Sequence, residues 1–272
     1  MDESKTSIID DFKQFFDIVL ATTPEQMAMV YRIRYRVYCE EFGYENSDSF
    51  PDELESDEFD GHSVHTLVTH KLTGMPAACV RVVGVDSKTL MPMEKYCQSS
   101  IDQDLFLSGA SDRAKICEFS RLAVDGAFRR RAGENATRFG EITSMDITKQ
   151  ELRTFSLIAV ATFLSAFAVS DLIGRTNAFA MMEPFLPRLL KRSGIVVNKV
   201  GEDVDYHGMR APYFITTKTA VQGMPEELKE LYDTIHRKFS CELPPKNNAI
   251  AACTSVDRVS SWRFDSLFPL LA

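Results

Sequence analysis

From Thr154 to Ser170 the chain carries no charged side chain, and these seventeen residues (TFSLIAVATFLSAFAVS) must find a place out of water. The run is slightly shorter than the ~18 apolar residues that mark a membrane span, and Ser156, Thr162, Ser165 and Ser170 dilute it. It therefore reads as the buried helix of a globular core, with no transmembrane segment expected. A chain of 272 residues, 44% of them apolar, can enclose such a helix in one large domain or two small ones.

The strands that would cover it are visible on either side. His65 to His70 (HTLVTH) and Ala77 to Val85 (AACVRVVGV) are β-rich runs joined by Lys71-Leu-Thr-Gly74, which predicts an antiparallel hairpin. A third strand is expected over Ala114 to Val124 (AKICEFSRLAV). Simple alternation there puts Ile116, Glu118, Ser120, Leu122 and Val124 on one face, and Cys117, Phe119, Arg121 and Ala123 on the other. Further strands are predicted at Asn177 to Met181, Ile195 to Val200 and Pro212 to Thr217.

Helices frame these strands. Ile8, Phe12, Phe15, Phe16 and Val19 recur at helical spacing, predicting a helix over residues 7–19, and a second amphipathic pattern runs from Pro24 to Glu41 behind the Thr22-Thr23 capping signal. Helical pattern covers Glu134 to about Leu172, Pro184 to Arg192 with Gly194 just beyond, and Pro225 to Phe239. The acidic, polar stretch from Gly43 to Glu58 reads as a solvated surface loop. These elements imply an α/β or α+β fold class, in a layered arrangement with no repeat and no clear linker.

Charge narrows the function. With 31 Lys and Arg against 39 Asp and Glu, the formal charge of -8 argues against generic nucleic-acid binding, which needs a net basic face, and leaves room only for a local basic patch. The six cysteines form no C-x-x-C pair and read as reduced thiols, and the acidic start of the chain lacks a secretory pattern, so the expected location is cytoplasmic. His62, His65 and His70 lack the companions of a tetrahedral metal site, so no metal is expected. Neither G-x-S-x-G, nor a Walker loop, nor G-x-G-x-x-G occurs.

Two constellations carry chemistry. Glu118-Phe-Ser-Arg121 places a carboxylate and a hydroxyl on an apolar strand, followed by Phe128-Arg-Arg-Arg131 and Gly133. Such an arginine-and-glycine loop before a helix either binds a phosphate or is a solvated basic turn. Arg81 interrupts the second strand, where an unpaired guanidinium is costly to bury, so it requires Asp57, Asp60 or Glu118 as partner, and a structural salt bridge accounts for it.

From about Met27 to Thr216 these residues resemble the GNAT-fold acyltransferases of the acyl-homoserine-lactone synthase type, and most closely the exosortase/PEP-CTERM-associated acyltransferases related to N-acyl amino acid synthases. The resemblance rests on the order of Arg34-x-x-x-Tyr38 and Tyr44, Asp57-Glu-Phe-Asp60, Arg81, Glu118-Phe-Ser-Arg121, Phe128 to Glu134, Met182-Glu-Pro184 and Tyr206 to Tyr213. It implies a GNAT-like central sheet, mixed but mostly antiparallel, with flanking helices and a V-shaped splay of strands. The domain would span residues 1–220, with a C-terminal helix and tail over 221–272.

By the same resemblance, Glu118, Ser120 and Arg121 are catalytic, with Glu118 as base. Arg34, Tyr38, Tyr44, Asp57, Asp60 and Arg81 line the acceptor site. Leu122, Val124, Arg129, Arg130, Arg131 and Gly133 hold the donor. That donor would be an acyl-phosphopantetheine thioester, on an acyl carrier protein or coenzyme A, with no tightly bound cofactor. The acidic carrier protein would dock at Arg129 to Arg131, with Arg138, and the acyl chain would lie along the Thr154 to Ser170 helix. Tyr44 stands where a Trp is typical, and the loop from Asn46 to Ser56 is longer than in lactone synthases. Both departures favour a small-molecule amine such as an amino acid over S-adenosylmethionine. The alternatives are a lactone synthase and a non-catalytic acyl-lipid-binding module.

Overall fold

The computed structural model describes residues 7–85, 89–104, 106, 112–129 and 148–243. Helix α1 (Ile8–Phe15) starts at Ser7, whose Oγ accepts the Ile9 N–H at 3.2 Å. It ends earlier than the spacing of its apolar residues predicts. Phe16–Leu20 is instead an edge strand, β1, because Phe16, Ile18 and Leu20 alternate inward and the backbone finds antiparallel partners on the next strand. Helix α2 (Pro24–Arg34) opens with a capping box between Thr23 and Gln26, as the Thr22-Thr23 signal predicts. It continues as a π-helical segment, Tyr35–Glu41.

The expected hairpin is present as β2 (Ser63–His70) and β3 (Pro76–Gly84), and β4 (Ile116–Val124) lies antiparallel beside it. Two short helices, α3 (Pro92–Tyr96) and α4 (Gly126–Arg129), flank β4 in sequence. The apolar segment is helix α5 (Lys149–Leu172), which leads to β5 (Asn177–Met182). Then come α6 (Phe185–Arg192), β6 (Asn198–Lys199), β7 (Val204–Asp205), β8 (Met209–Thr216), α7 (Thr217–Gly223) and α8 (Glu226–Ser240). The strand expected over Ile195 to Val200 shrinks to two paired residues, because Ile195 and Val200 are drawn into the core beside it. Residues 134–147 of the predicted helical stretch lie outside the described residues.

The sheet runs β1-β2-β3-β4-β5-β8-β6, with β7 on β8, and among the described strands every pairing is antiparallel except β4–β5. Helix α5 lies across one face, where Phe163 and Phe167 meet Phe119, and α8 packs behind it. The helix is long and apolar enough to cross a bilayer, but 67% of its most apolar window is buried inside the fold. On the other face α2 covers Leu67, Cys79 and Ala123. This is the mixed, mostly antiparallel, helix-flanked sheet that the resemblance implies.

Two irregularities interrupt the sheet at its centre. The parallel ladder between β4 and β5 holds for only three residue pairs, Ile116–Asn177 to Glu118–Phe179, and beyond them the strands part. The second is a bulge in β4. Cys79 pairs with Ala123 but Arg81 with Ser120, so Val80 faces two residues, and Arg121 takes the left-handed φ of 51°. The bulge reverses the alternation after Ser120. Arg121 and Ala123 thereby join the face of Glu118 and Ser120, and Val124 turns to the α5 side, contrary to the simple pattern.

Candidate active site

Where β4 and β5 separate, a cleft opens between Glu118, Ser120 and Arg121 on one side and Ala180, Met182 and Glu183 on the other. Its floor reaches Phe119 and Phe163, and its rim carries Tyr96, Tyr206 and Arg210. Glu118 is only 2% exposed. One carboxylate oxygen accepts the Met93 N–H at 2.8 Å, an anchor supplied by α3. Burial pushes the Glu118 carboxyl up to about 8, while the Met93 N–H and Arg81 work against that rise without cancelling it. The 13C resonance of this carboxyl should titrate near pH 8 and be missing in Glu118→Gln; titration near 4.5 would contradict the burial.

Beside it lies a network of arginines and carboxylates. Arg34 is fully buried, paired with Glu55 and, at 2.7 Å, with Asp60. Arg81 bonds Asp57 at 2.5 Å and Asp60 at 2.8 Å, and its Nε donates to Ser120 Oγ at 3.0 Å. Arg121 meets Glu45 at 2.9 Å, Glu55 at 3.1 Å and Asp57 at 3.2 Å. Burial opposes ionisation of Asp57 and Asp60, but Arg81 beside the first and Arg34 and Arg81 beside the second hold both carboxyls below their ordinary range. His65, also buried against this network, is held neutral, with its pKa brought down to about 4 chiefly by burial.

This arrangement corrects the reading of residues 43–58 as a merely solvated loop. Glu55 is fully buried within it, because two guanidiniums on neighbouring elements require a counter-charge there. Arg81 finds its carboxylates in Asp57 and Asp60; Glu118 bonds Met93 instead.

Of the residues singled out from sequence, Tyr38, Asp57, Arg81, Glu118, Ser120, Arg121 and Leu122 border the cleft. Tyr38 donates its hydroxyl proton to the Leu122 carbonyl at 3.0 Å, fixing the peptide just past the bulge. Arg34 and Asp60 sit behind the cleft wall. Tyr44 packs against Phe42, Tyr38 and His207. Val124 faces the core. Arg129 pairs with Glu41, donates to the Val124 carbonyl at 2.7 Å and lies over Phe42, so its guanidinium is already engaged by the protein. Arg130, Arg131, Gly133 and Arg138 lie outside the described residues.

Met93, Tyr96, Glu183, Tyr206 and Arg210 border the cleft or anchor Glu118 without having been singled out for a role. Three of them stand in the Met182-Glu-Pro184 and Tyr206 to Tyr213 motifs, whose strength as a signal was order alone. Met93 contributes through its backbone, which no side-chain pattern reveals. Gly208 in the second motif has φ 88°, and a Cβ there would come within 3.0 Å of the Tyr44 hydroxyl, so the turn needs glycine.

Residues 33–137 match a family profile described as an acetyltransferase (GNAT) domain. No curated protein matches by sequence. Among solved structures the chain is similar to TofI, in a ternary complex with an inhibitor and MTA, at 16% identity and a TM-score of 0.55 over 80% of this chain and 96% of that one. It is similar to the AHL synthase LasI at 14% identity and a TM-score of 0.52, over 74% and 90% of the two chains. BjaI, a CoA-dependent acyl-homoserine lactone synthase with SAM and isopentyl-CoA, gives 15% identity and a TM-score of 0.52, over 89% and 99%. Splayed sheet and profile agree: residues 33–137 match an acetyltransferase (GNAT) domain, the fold is shared with acyl-homoserine-lactone synthases, and the chain is an acyltransferase.

Proposed function

We propose that the chain moves a long-chain acyl group from an acyl carrier protein or coenzyme A thioester to the amine of an amino acid or a similar acceptor, in the cytosol. The observation that carries this reading is Glu118, a carboxylate buried at the parting of β4 and β5, next to an apolar wall of Phe119, Leu122, Phe163 and Met182. An apolar wall of this kind suits an acyl chain, and backbone N–H groups freed at the β4 bulge, beside the Leu122 carbonyl that Tyr38 holds, would serve a thioester oxyanion.

The proton logic supports a base at this position. A free α-amine has a pKa near 8 and is mostly protonated at pH 7. Glu118, raised to about 8, is matched to it, so moving one proton from ammonium to carboxylate costs little. The neutral nitrogen then attacks the thioester carbonyl, the C–N bond forms and the C–S bond breaks, and the second proton shed by the nitrogen ends on the departing sulfur, which leaves as a thiol. Asp57 and Ser120, held by Arg81, border the same space, which supports a role for both in holding the acceptor.

The test is incubation of the full chain with acyl carrier protein and coenzyme A thioesters and a panel of amino acids, reading thiol release and the mass of the product. Release that depends on an amino acid, with an amide product, is expected. Release only with S-adenosylmethionine would move the chain to the lactone synthases whose fold it shares, and no release with any amine would end the reading.

A further inference from the structure

Among the described residues three arginines border the cleft, and two of them are saturated. Arg81 binds two carboxylates and a hydroxyl, and Arg121 meets three carboxylates. Arg210, on β8, has a single carboxylate contact among the described residues, from its Nη2 to Glu183 at 3.2 Å. Its guanidinium lies over the Tyr44 ring at 5.5 Å, and its buried Nε–H has no hydrogen-bond partner among the described residues. A largely buried cation with one long contact is under-compensated, since buried guanidiniums ordinarily have most donors engaged. The planar fork is also the group best suited to take a carboxylate on two parallel N–H donors.

The cleft thus presents a base on β4 and an unsaturated, aromatic-backed arginine on β8, with β5 between them. A zwitterion has the charges these two groups want: an ammonium for Glu118 and Asp57, a carboxylate for Arg210. We infer that the acceptor carries a free carboxylate and that Arg210 receives it, which makes an α-amino acid the acceptor class and Arg210 the residue that separates it from a plain amine. The inference rests on the cleft being an amine-acylation site. Tyr44 and Gly208 then act as positioning residues, holding the guanidinium plane against the rim.

The experiment pairs each amino acid with its decarboxylated amine as acceptor, with one acyl thioester in excess, for the wild type, Arg210→Met and Arg210→Lys. In the wild type kcat/KM should favour the amino acid. In Arg210→Met the ratio of the two kcat/KM values should fall about 10–100-fold, the worth of one charge-assisted hydrogen bond, with the loss carried mainly by KM. Arg210→Lys should recover part of it and guards against a misfolded Met variant. Wild-type enzyme that acylates plain amines as well as amino acids, or a folded Met or Lys variant with an unchanged ratio, would overturn the assignment and leave amine acylation standing. Absence of turnover with both members of every pair would overturn both.

Discussion

Glu118→Gln should lower turnover of the acyl thioester by about 10²–10⁴-fold, the usual contribution of a positioned general base, and should at the same time make the folded protein more stable above neutral pH. The two effects share one cause, a carboxylate held where its charge is unwelcome. In the unfolded chain this group ionises near 4.5, in the folded chain at about 8. Below pH 4.5 it is protonated in both states and costs nothing. Between 4.5 and 8 the unfolded state releases a proton that the native state keeps, so stability falls by about 1.4 kcal/mol per pH unit. Above 8 both states are ionised and the penalty levels off. Glutamine keeps an oxygen for the Met93 N–H but cannot ionise. Thermal unfolding at a series of pH values should therefore show the variant gaining on the wild type through this window. A variant that loses turnover without the pH-dependent gain would place Glu118 in a solvated position, and one that gains stability with full turnover would remove it from the chemistry.

Arg34→Met should cost about 3–5 kcal/mol of unfolding free energy, because it leaves Glu55 and Asp60 buried beside one another with a counter-charge removed. Urea unfolding at pH 7 measures it. The result also separates two roles. Arg34 is sealed behind the cleft wall, so under the proposed acceptor role it would act through Asp57 and Asp60, and a direct binding role would instead raise KM with the unfolding midpoint unmoved. Asp57 is the contrasting case, since it borders the cleft and is shared between Arg81 and Arg121.

Much of the sheet was legible from local pattern. The β2–β3 hairpin, β4 and the buried helix α5 announce themselves by alternation, a glycine turn and a charge-free run, signals that tertiary contacts only reinforce. β1 did not, because Phe12, Phe15, Phe16 and Val19 fit a helical period as well as Phe16, Ile18 and Leu20 fit a strand, and only the waiting edge of β2 decides between them. The bulge at Arg121 was equally invisible. A residue with a side chain at φ 51° is held there by its surroundings, and the inserted position shifts the parity of everything after Ser120. The order of motifs brought Glu118, Ser120 and Arg121 together with Tyr38 and Asp57. It could not tell which arginines would be consumed by neighbours, since Glu45 and Glu55 lie far away in sequence in a loop that looks merely polar. Nor could it show that Arg129 is bound by Glu41 and the Val124 carbonyl.

The short parallel ladder between β4 and β5 has a mechanical consequence. The sheet is two plates, β1 to β4 and β5 to β8, riveted by three residue pairs at one end, while α5 leans mainly on the first plate. Swinging the plates apart therefore strains few backbone hydrogen bonds, and resistance to it falls to the apolar core that both plates share beneath α5, with the Glu118 carboxylate at the tip of the ladder.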